Sequence, residues 1–280
     1  MRLLTYEQAR DMPDNYLSSF VDAEIECWGS HPFDEFKKCD NPRCGALYSI
    51  EDVYGTVDEY RNRVKNVTLI DNFKCEECGD NTLNVYEKDE FMSMSQEYVK
   101  GDVSLATYIN DNSNVEGLGV ITKTTIDDLL QVEFNTRSSP QDSEALFDLV
   151  SNYFSLDSDI LCLLHVYLSK NLRGGTNFFE LLKNLFLLRQ KNSDLPIVTE
   201  TRYDSNLYSM LKVLGFNVLT DDQFGYVYMY LDKFSKIIDF IKADKLVNSN
   251  EIKVLRACYK KEALDIISKT PLLNLRKHYI

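Results

Sequence analysis

No apolar run in the 280-residue chain is long enough to cross a bilayer. The best, ILCLLHVYL at 160–168, is about half of the ~20 residues a spanning helix needs, and it carries His165. The N-terminus offers no apolar stretch that would serve as a secretory leader before Glu7 and Asp11 interrupt it. Positive charge is scarce: 31 Lys and Arg stand against 44 Asp and Glu, a formal net of −13. That balance disfavours phosphate backbones and anionic membranes as partners and favours cationic ones. Histidine is limited to three residues, so few groups titrate near neutral pH. No internal repeat or low-complexity tract is present. These absences exclude fibrous and membrane-spanning helical classes and lead us to expect a soluble, cytoplasmic protein without a nucleic-acid partner.

What is present is core material. Apolar residues make up 44% of the chain and aromatics 12%, enough to fold despite the net charge. The length corresponds to roughly two units of about 150 residues each. The seven cysteines are an odd number without secretory context, which points to reduced thiols. Four of them form two short-spaced pairs, Cys39-x4-Cys44 and Cys75-x2-Cys78, with Gly45 and Gly79 directly after the second member of each. Two such knuckles make a tetrahedral thiolate site that suits zinc and, being closed, leaves no position for substrate. A redox pair at Cys75-Glu-Glu-Cys78 is the alternative, but no thioredoxin-like βαβ pattern surrounds it. Cys27 and His31 also have ligand-like spacing, while Cys162 and Cys258 read as small core residues.

Along the chain, Leu17, Phe20, Val21 and Ile25 give residues 13–28 a helical stripe. Residues 29–90 then break into short polar segments that contain the four paired cysteines. Two β-rich runs at 102–110 and 117–126 flank Asp111-Asn112-Ser113-Asn114 and predict a hairpin, and 143–154 predicts a helix. The run at 160–168 suits a strand buried on both faces. It leads through Asn171-Leu172-Arg173-Gly174-Gly175-Thr176 into a broadly apolar helix at 177–189. A short strand at 195–199 and a helix at 205–214, stopped by Gly215, complete a βαβα order that implies parallel strands. Residues 217–219 and 226–231 predict an antiparallel pair. From Lys233 onward 11 basic residues face 5 acidic ones, spread over amphipathic helices that suit packing on the acidic remainder of the chain. The fold class is mixed α/β (α+β), a central mixed sheet flanked by helices.

A Gly-Gly turn between a buried strand and a helix N-terminus brings backbone N–H groups to an anion, and phosphate is the natural ligand. Together with the aromatic-rich closing pair and the Leu-Lys-Val-Leu-Gly-Phe ending at Gly215-Phe216, the section 102–232 resembles the GNAT superfamily of acyl-CoA N-acyltransferases. In that family the turn reads Arg/Gln-x-x-Gly-x-Gly/Ala and binds the coenzyme A diphosphate. The corresponding frame here is Asn171-x-x-Gly174-x-Thr176, which departs at both ends, with Arg173 alongside to supply charge. The resemblance implies acetyl-CoA as acyl donor, held by Asn171, Leu172, Arg173, Gly174, Gly175, Thr176 and Asn177, with the strand backbone at Val166 to Leu168 pairing with the pantetheine arm. It divides the chain into 1–28, an N-terminal part of the core; 29–90, a zinc-binding insertion; 91–232, the acyl-CoA-binding core; and 233–280, a helical extension.

The implied activity is transfer of an acyl group to a cationic amine, either a small molecule, a lysine side chain or an N-terminus. Such transfer needs a base for the ammonium and an acid for the departing thiolate. His165 and Glu200 are the candidate bases, and a core histidine and a solvated carboxylate are their plainer alternatives. Many family members carry a tyrosine four residues before Gly-Phe; that position is Leu211 here, and Tyr208 is the substitute acid. These departures also admit a catalytically silent binding or structural protein that contacts other proteins through the zinc module or the basic C-terminal helices. Zinc inserts in similar folds of large tailed phages imply, for that reading, a virion-associated or host-modifying role.

Overall fold

The computed structural model describes residues 2–5, 14–66, 68–70, 72–93, 103–110, 114–130, 153–173, 177–192, 194–221, 225–237 and 250–269. A seven-stranded sheet is built from β1 (Arg2–Thr5), β5 (Val103–Ile109), β6 (Val115–Thr125), β7 (Asp159–Leu168), β8 (Ile197–Arg202), β9 (Asn217–Asp221) and β10 (Tyr226–Leu231). Its spatial order is β1-β5-β6-β7-β8-β10-β9. Every neighbouring pair is antiparallel except β7 with β8. That one parallel pair is joined by a helical crossover, as parallel strands require.

Helices cover both faces. α5 (Asn177–Leu188) and α6 (Asn206–Val213) pack on one side, where Leu181, Leu185, Phe186 and Leu211 meet Leu161, Leu163 and Met229. Gly119 of β6 admits this layer closely, because a Cβ there would lie 3.1 Å from Leu185 Cδ2. The other side carries α1 (Asp14–Gly29), whose Tyr16, Phe20 and Ala23 pack on Leu105, Leu118, Val120 and Tyr167. It also carries the short α4 (Ile126–Leu129). This is the expected mixed α/β architecture: β7 is buried on both faces, Ser205 caps α6, and Gly215 ends it at φ +90°.

A second, three-stranded sheet in the order β3-β2-β4 comprises β2 (Lys37–Cys39), β3 (Leu47–Tyr48) and β4 (Thr82–Asn84). It is accompanied by α2 (Ile50–Tyr54) and α3 (Val57–Lys65). Ile50, Tyr60 and Phe91 of this region share one apolar cluster with Val21 and Ile25 of α1, so α1 lies between the large sheet and α2 and α3.

Some expectations are corrected. β1 carries no strand signal beyond Leu3 and Leu4, yet it adds to the sheet edge beside β5. Cys258 lies on α7 (Asn250–Lys269) and is exposed, because that helix turns Ala263, Ile266 and Ile267 to the core instead. The helix expected at 143–154 lies outside the described residues up to 152, and Tyr153 and Phe154 form a turn and bend. No helix among the described residues is long and apolar enough to cross a membrane.

Candidate functional site

The large sheet splits in its middle. β7 and β8 pair over only three positions, Leu161 with Ile197, Cys162 with Val198 and Leu163 with Thr199. Thr199 Oγ1 closes that stretch by donating to the Leu163 carbonyl at 2.8 Å. Beyond it β7 runs on to Leu168 against β6 alone, while β8 runs on to Arg202 against β10 alone. The backbone at 164–168 therefore has no strand partner on its β8 side. Two diverging strands leave a wedge between them.

A bulge coincides with the split. Val120 pairs with His165 and Ile121 with Leu163, so Leu164 is an extra residue on β7. Its effect is to put two successive side chains on one face: Leu164 packs with the clusters beneath α1 and α4, and His165 meets Trp28 of α1. After it, Tyr167 faces α1 and Val166 and Leu168 face α5. Sequence alternation alone places His165 ambiguously, and the bulge resolves it.

A cavity of about 380 Å³ opens at the end of β7. Val166, Tyr167 and Leu168 form one wall, and Phe178 and Phe179 at the start of α5 form another. Ser205, Asn206, Leu207 and Met210 of the α6 N-terminal region close it opposite. Glu26, Cys27, Ser30 and the segment His31 to Phe33, which includes a cis His31-Pro32 bond, contribute from the α1 side. Arg173 and Arg256 are its two guanidinium groups. Apolar walls with a few convergent polar groups are what a ligand cleft of this size needs.

The polar floor is a buried ion-pair network. Arg61 of α3 donates from Nε and Nη2 to the two carboxylate oxygens of Glu26 at 2.6 and 2.7 Å, and from Nη1 to Glu116 at 3.2 Å. The Tyr167 hydroxyl also donates to Glu26. Burial pushes the Glu26 carboxyl up, and the guanidinium and hydroxyl pull against that shift. A fork-to-fork Arg–carboxylate pair fixes orientation as well as charge. It ties α3 to the strand that walls the cavity.

Of the expected turn residues, Gly174, Gly175 and Thr176 lie outside the described residues. Their flanks are stitched together: Asn177 Nδ2 donates to the Leu172 carbonyl at 3.2 Å, and Arg173 Nε donates to the Leu168 carbonyl at 2.9 Å. Leu172 is buried in the core. Asn171 lines a second cavity of about 260 Å³, next to Lys170, Arg61 and Arg173.

None of the three expected catalytic side chains is among the residues lining either cavity. His165 accepts a hydrogen bond at Nδ1 from Trp28 Nε1 at 3.1 Å, and its Nε2 stands 3.8 Å from Glu24 Oε1. With Nδ1 accepting, the proton of the neutral ring sits on Nε2 facing Glu24. Glu200 sits in mid-strand opposite Tyr228. Tyr208 is fully buried, stacks edge-on to Tyr203 and donates to Glu262 of α7 at 3.1 Å. Burial, with Glu262 adding to it, raises its hydroxyl above the usual range. Sequence reading missed Glu26, Ser30 and Arg256 in the cavity wall, because each lies on a helix or at its end among ordinary polar neighbours. His31 was weighed as a metal ligand; its ring lines the cavity and is 61% exposed, with Asp34 Oδ1 3.8 Å from Nδ1.

The four cysteines Cys39, Cys44, Cys75 and Cys78 converge, with all sulfurs within 4.8 Å of one another. The Cys39–Cys78 and Cys44–Cys75 separations are 3.5 and 3.6 Å. A tetrahedral zinc with Zn–S bonds of about 2.3 Å has S–S edges of about 3.8 Å, so the set fits the metal. Gly45 and Gly79, at φ +60° and +80°, complete the two knuckles in the left-handed conformation that side chains resist. Burial alone would raise the Cys75 thiol, but the Tyr48 hydroxyl and the N–H groups of Cys78 and Glu77 outweigh it and bring it to about 6.

No protein-family model matches the chain, and no curated protein sequence matches it. Among solved structures it is similar to the PaiA N-acetyltransferase from Thermoplasma acidophilum, in complex with coenzyme A. There the identity is 11%, 82% of this chain and 98% of that one are covered, and the TM-score is 0.41. It is also similar to arylalkylamine N-acetyltransferase 2 from Aedes aegypti, at 11% identity, 83% and 98% coverage and a TM-score of 0.44.

Proposed function

We propose that the chain is a coenzyme A-dependent N-acyltransferase whose donor lies in the wedge between β7 and β8. The observation that carries this reading is the split itself: the β7 backbone at 164–168 pairs with β6 but has no strand on its β8 side, beside a cavity with two arginines. An extended, amide-bearing arm such as pantetheine pairs with the backbone groups that face the β8 side by adding as a short strand. The strand's end then delivers the diphosphate to Arg173, the Gly174-Gly175 turn and the start of α5.

The acceptor is a cationic amine, drawn by a chain of net charge −13. After it loses one proton to the base, its nitrogen attacks the thioester carbonyl; the C–N bond forms, the C–S bond breaks, and the second proton leaving the nitrogen is balanced by the one the thiolate takes up. His31 is the base this arrangement favours, since its ring lies in the cavity wall whereas the ring of His165 is held between Trp28 and Glu24. Zinc at Cys39, Cys44, Cys75 and Cys78 plays a structural part, since four thiolates leave no position for substrate.

Calorimetric titration with acetyl-CoA, with ATP as the control for generic phosphate binding, tests the reading. Saturable one-site binding that is abolished by Arg173→Glu supports it; the absence of binding at millimolar ligand overturns it. A second reading, a binding protein without catalysis, is favoured by the engagement of His165 and Tyr208 in structural contacts. Donor binding without turnover of any amine in an acceptor screen would select it.

A further inference from the structure

Arg256 reaches the cleft from the far end of the chain. It belongs to α7, which is fastened to α6 by the Tyr208–Glu262 hydrogen bond and by the packing of Ala263 and Ile266 on the core. Its side chain lines the same cavity as Arg173. The Arg256 Nε is buried and has no hydrogen-bond partner, and among the described residues the side chain makes no ion pair. Burial pulls its pKa below the ordinary arginine value. The side chain as a whole is half-buried, and a guanidinium partly withdrawn from water without a counter-charge is relieved by an anion. Arg173, by contrast, is pinned through Nε to the Leu168 carbonyl, which fixes the direction of its fork. The first turns of α5 and α6, at Phe178 and at Asn206 and Leu207, line the same cavity with their partial positive charge.

We infer that Arg256 binds the diphosphate of the acyl donor opposite Arg173, so that the C-terminal extension is part of the cofactor site. The inference rests on the reading of the cleft as an acyl-CoA site. A diphosphate offers oxygens enough to accept from two planar forks at once and the negative charge to balance both. The extra cation also makes sense of a turn that departs from Arg/Gln and Gly/Ala at Asn171 and Thr176.

The test is calorimetric titration of the zinc-loaded full chain and of Arg256→Gln and Arg256→Lys with coenzyme A, 3′-dephospho-coenzyme A and pantetheine. Glutamine should weaken both phosphate-bearing ligands about 10- to 100-fold, as expected for losing a charged hydrogen-bond donor. Pantetheine affinity should stay unchanged, and lysine should restore part of the loss. Thermal unfolding of each variant identifies any loss of fold, and if glutamine unfolds the chain, the lysine variant carries the same comparison through a smaller loss. Unchanged coenzyme A affinity in a folded variant overturns the inference while leaving the cleft intact. An equal loss for pantetheine overturns it in favour of a packing role. Failure of the wild-type chain to bind coenzyme A overturns inference and cleft together.

Discussion

The cysteine region and the split sheet solve the same problem, holding several polar groups at one point, by opposite means. In the small sheet the four sulfurs come from two knuckles whose members are three to five residues apart, so the local turn does the positioning for a set that fits a metal. In the large sheet the cavity wall is gathered from α1, β7, α5, α6 and α7, and only burial of a continuous core places them. The first arrangement is local in the chain, and the second rests on many weak contacts. They meet at Arg61, which is rooted in α3 and reaches Glu26 and Glu116.

That contrast is open to test, and the largest effect should follow loss of the ion. The Cys75→Ser, Cys78→Ser double variant should fall from about one equivalent of metal to none by elemental analysis, removing a binding free energy on the order of 10 kcal/mol from the small sheet. Hydrogen exchange should then show β2–β4 unprotected and β5–β7 still protected; loss of protection in β7 as well would mean the two regions fold as one. Phe186→Ala is the converse experiment. That side chain is fully buried against Phe234, with ring centroids 5.2 Å apart. Its removal should cost about 3–5 kcal/mol in urea unfolding with metal content unchanged.

Arg61→Met probes the junction. It strands the buried Glu26 carboxylate and should cost about 3 kcal/mol, part of which a second change, Glu26→Gln, should recover. Simple additivity of the two would show that the pair is not energetically linked. The smallest effect belongs to Tyr208→Phe, which deletes one hydrogen bond to Glu262 and should lower stability by about 1 kcal/mol. Any acyl transfer should survive it, and a collapse of turnover would restore Tyr208 as the acid.

Legibility in the sequence divides along the same line. The cysteine set is readable because ligand spacing is local, and β7, α5, β8, α6 and the β9–β10 pair are readable because each has an apolar period and a Gly, Ser or Asp at its end. β1 is four residues long and earns its place only by pairing with β5, a contact no periodicity reports. The cavity wall was half visible: Val166, Leu168 and Arg173 follow from the strand-turn-helix order, whereas Arg256 depends on where α7 docks. His165 is the residue that spacing alone does not orient. Its spacing before the turn is right for the chemistry, but the bulge turns it to α1, where Trp28 occupies its Nδ1.

The extra residue at Leu164 also changes what kind of object β7 is. A regular strand has one parity, so every substitution along it can be judged by counting twos. Here the count restarts: Leu161 and Leu163 share a layer with Val166 and Leu168, and the odd-numbered side that is core before the bulge becomes the α1 side after it. A saturation scan of 160–168 should therefore read as two short strands in opposite phase, with deletion of Leu164 merging them into one regular alternation that keeps His165 on the α1 side.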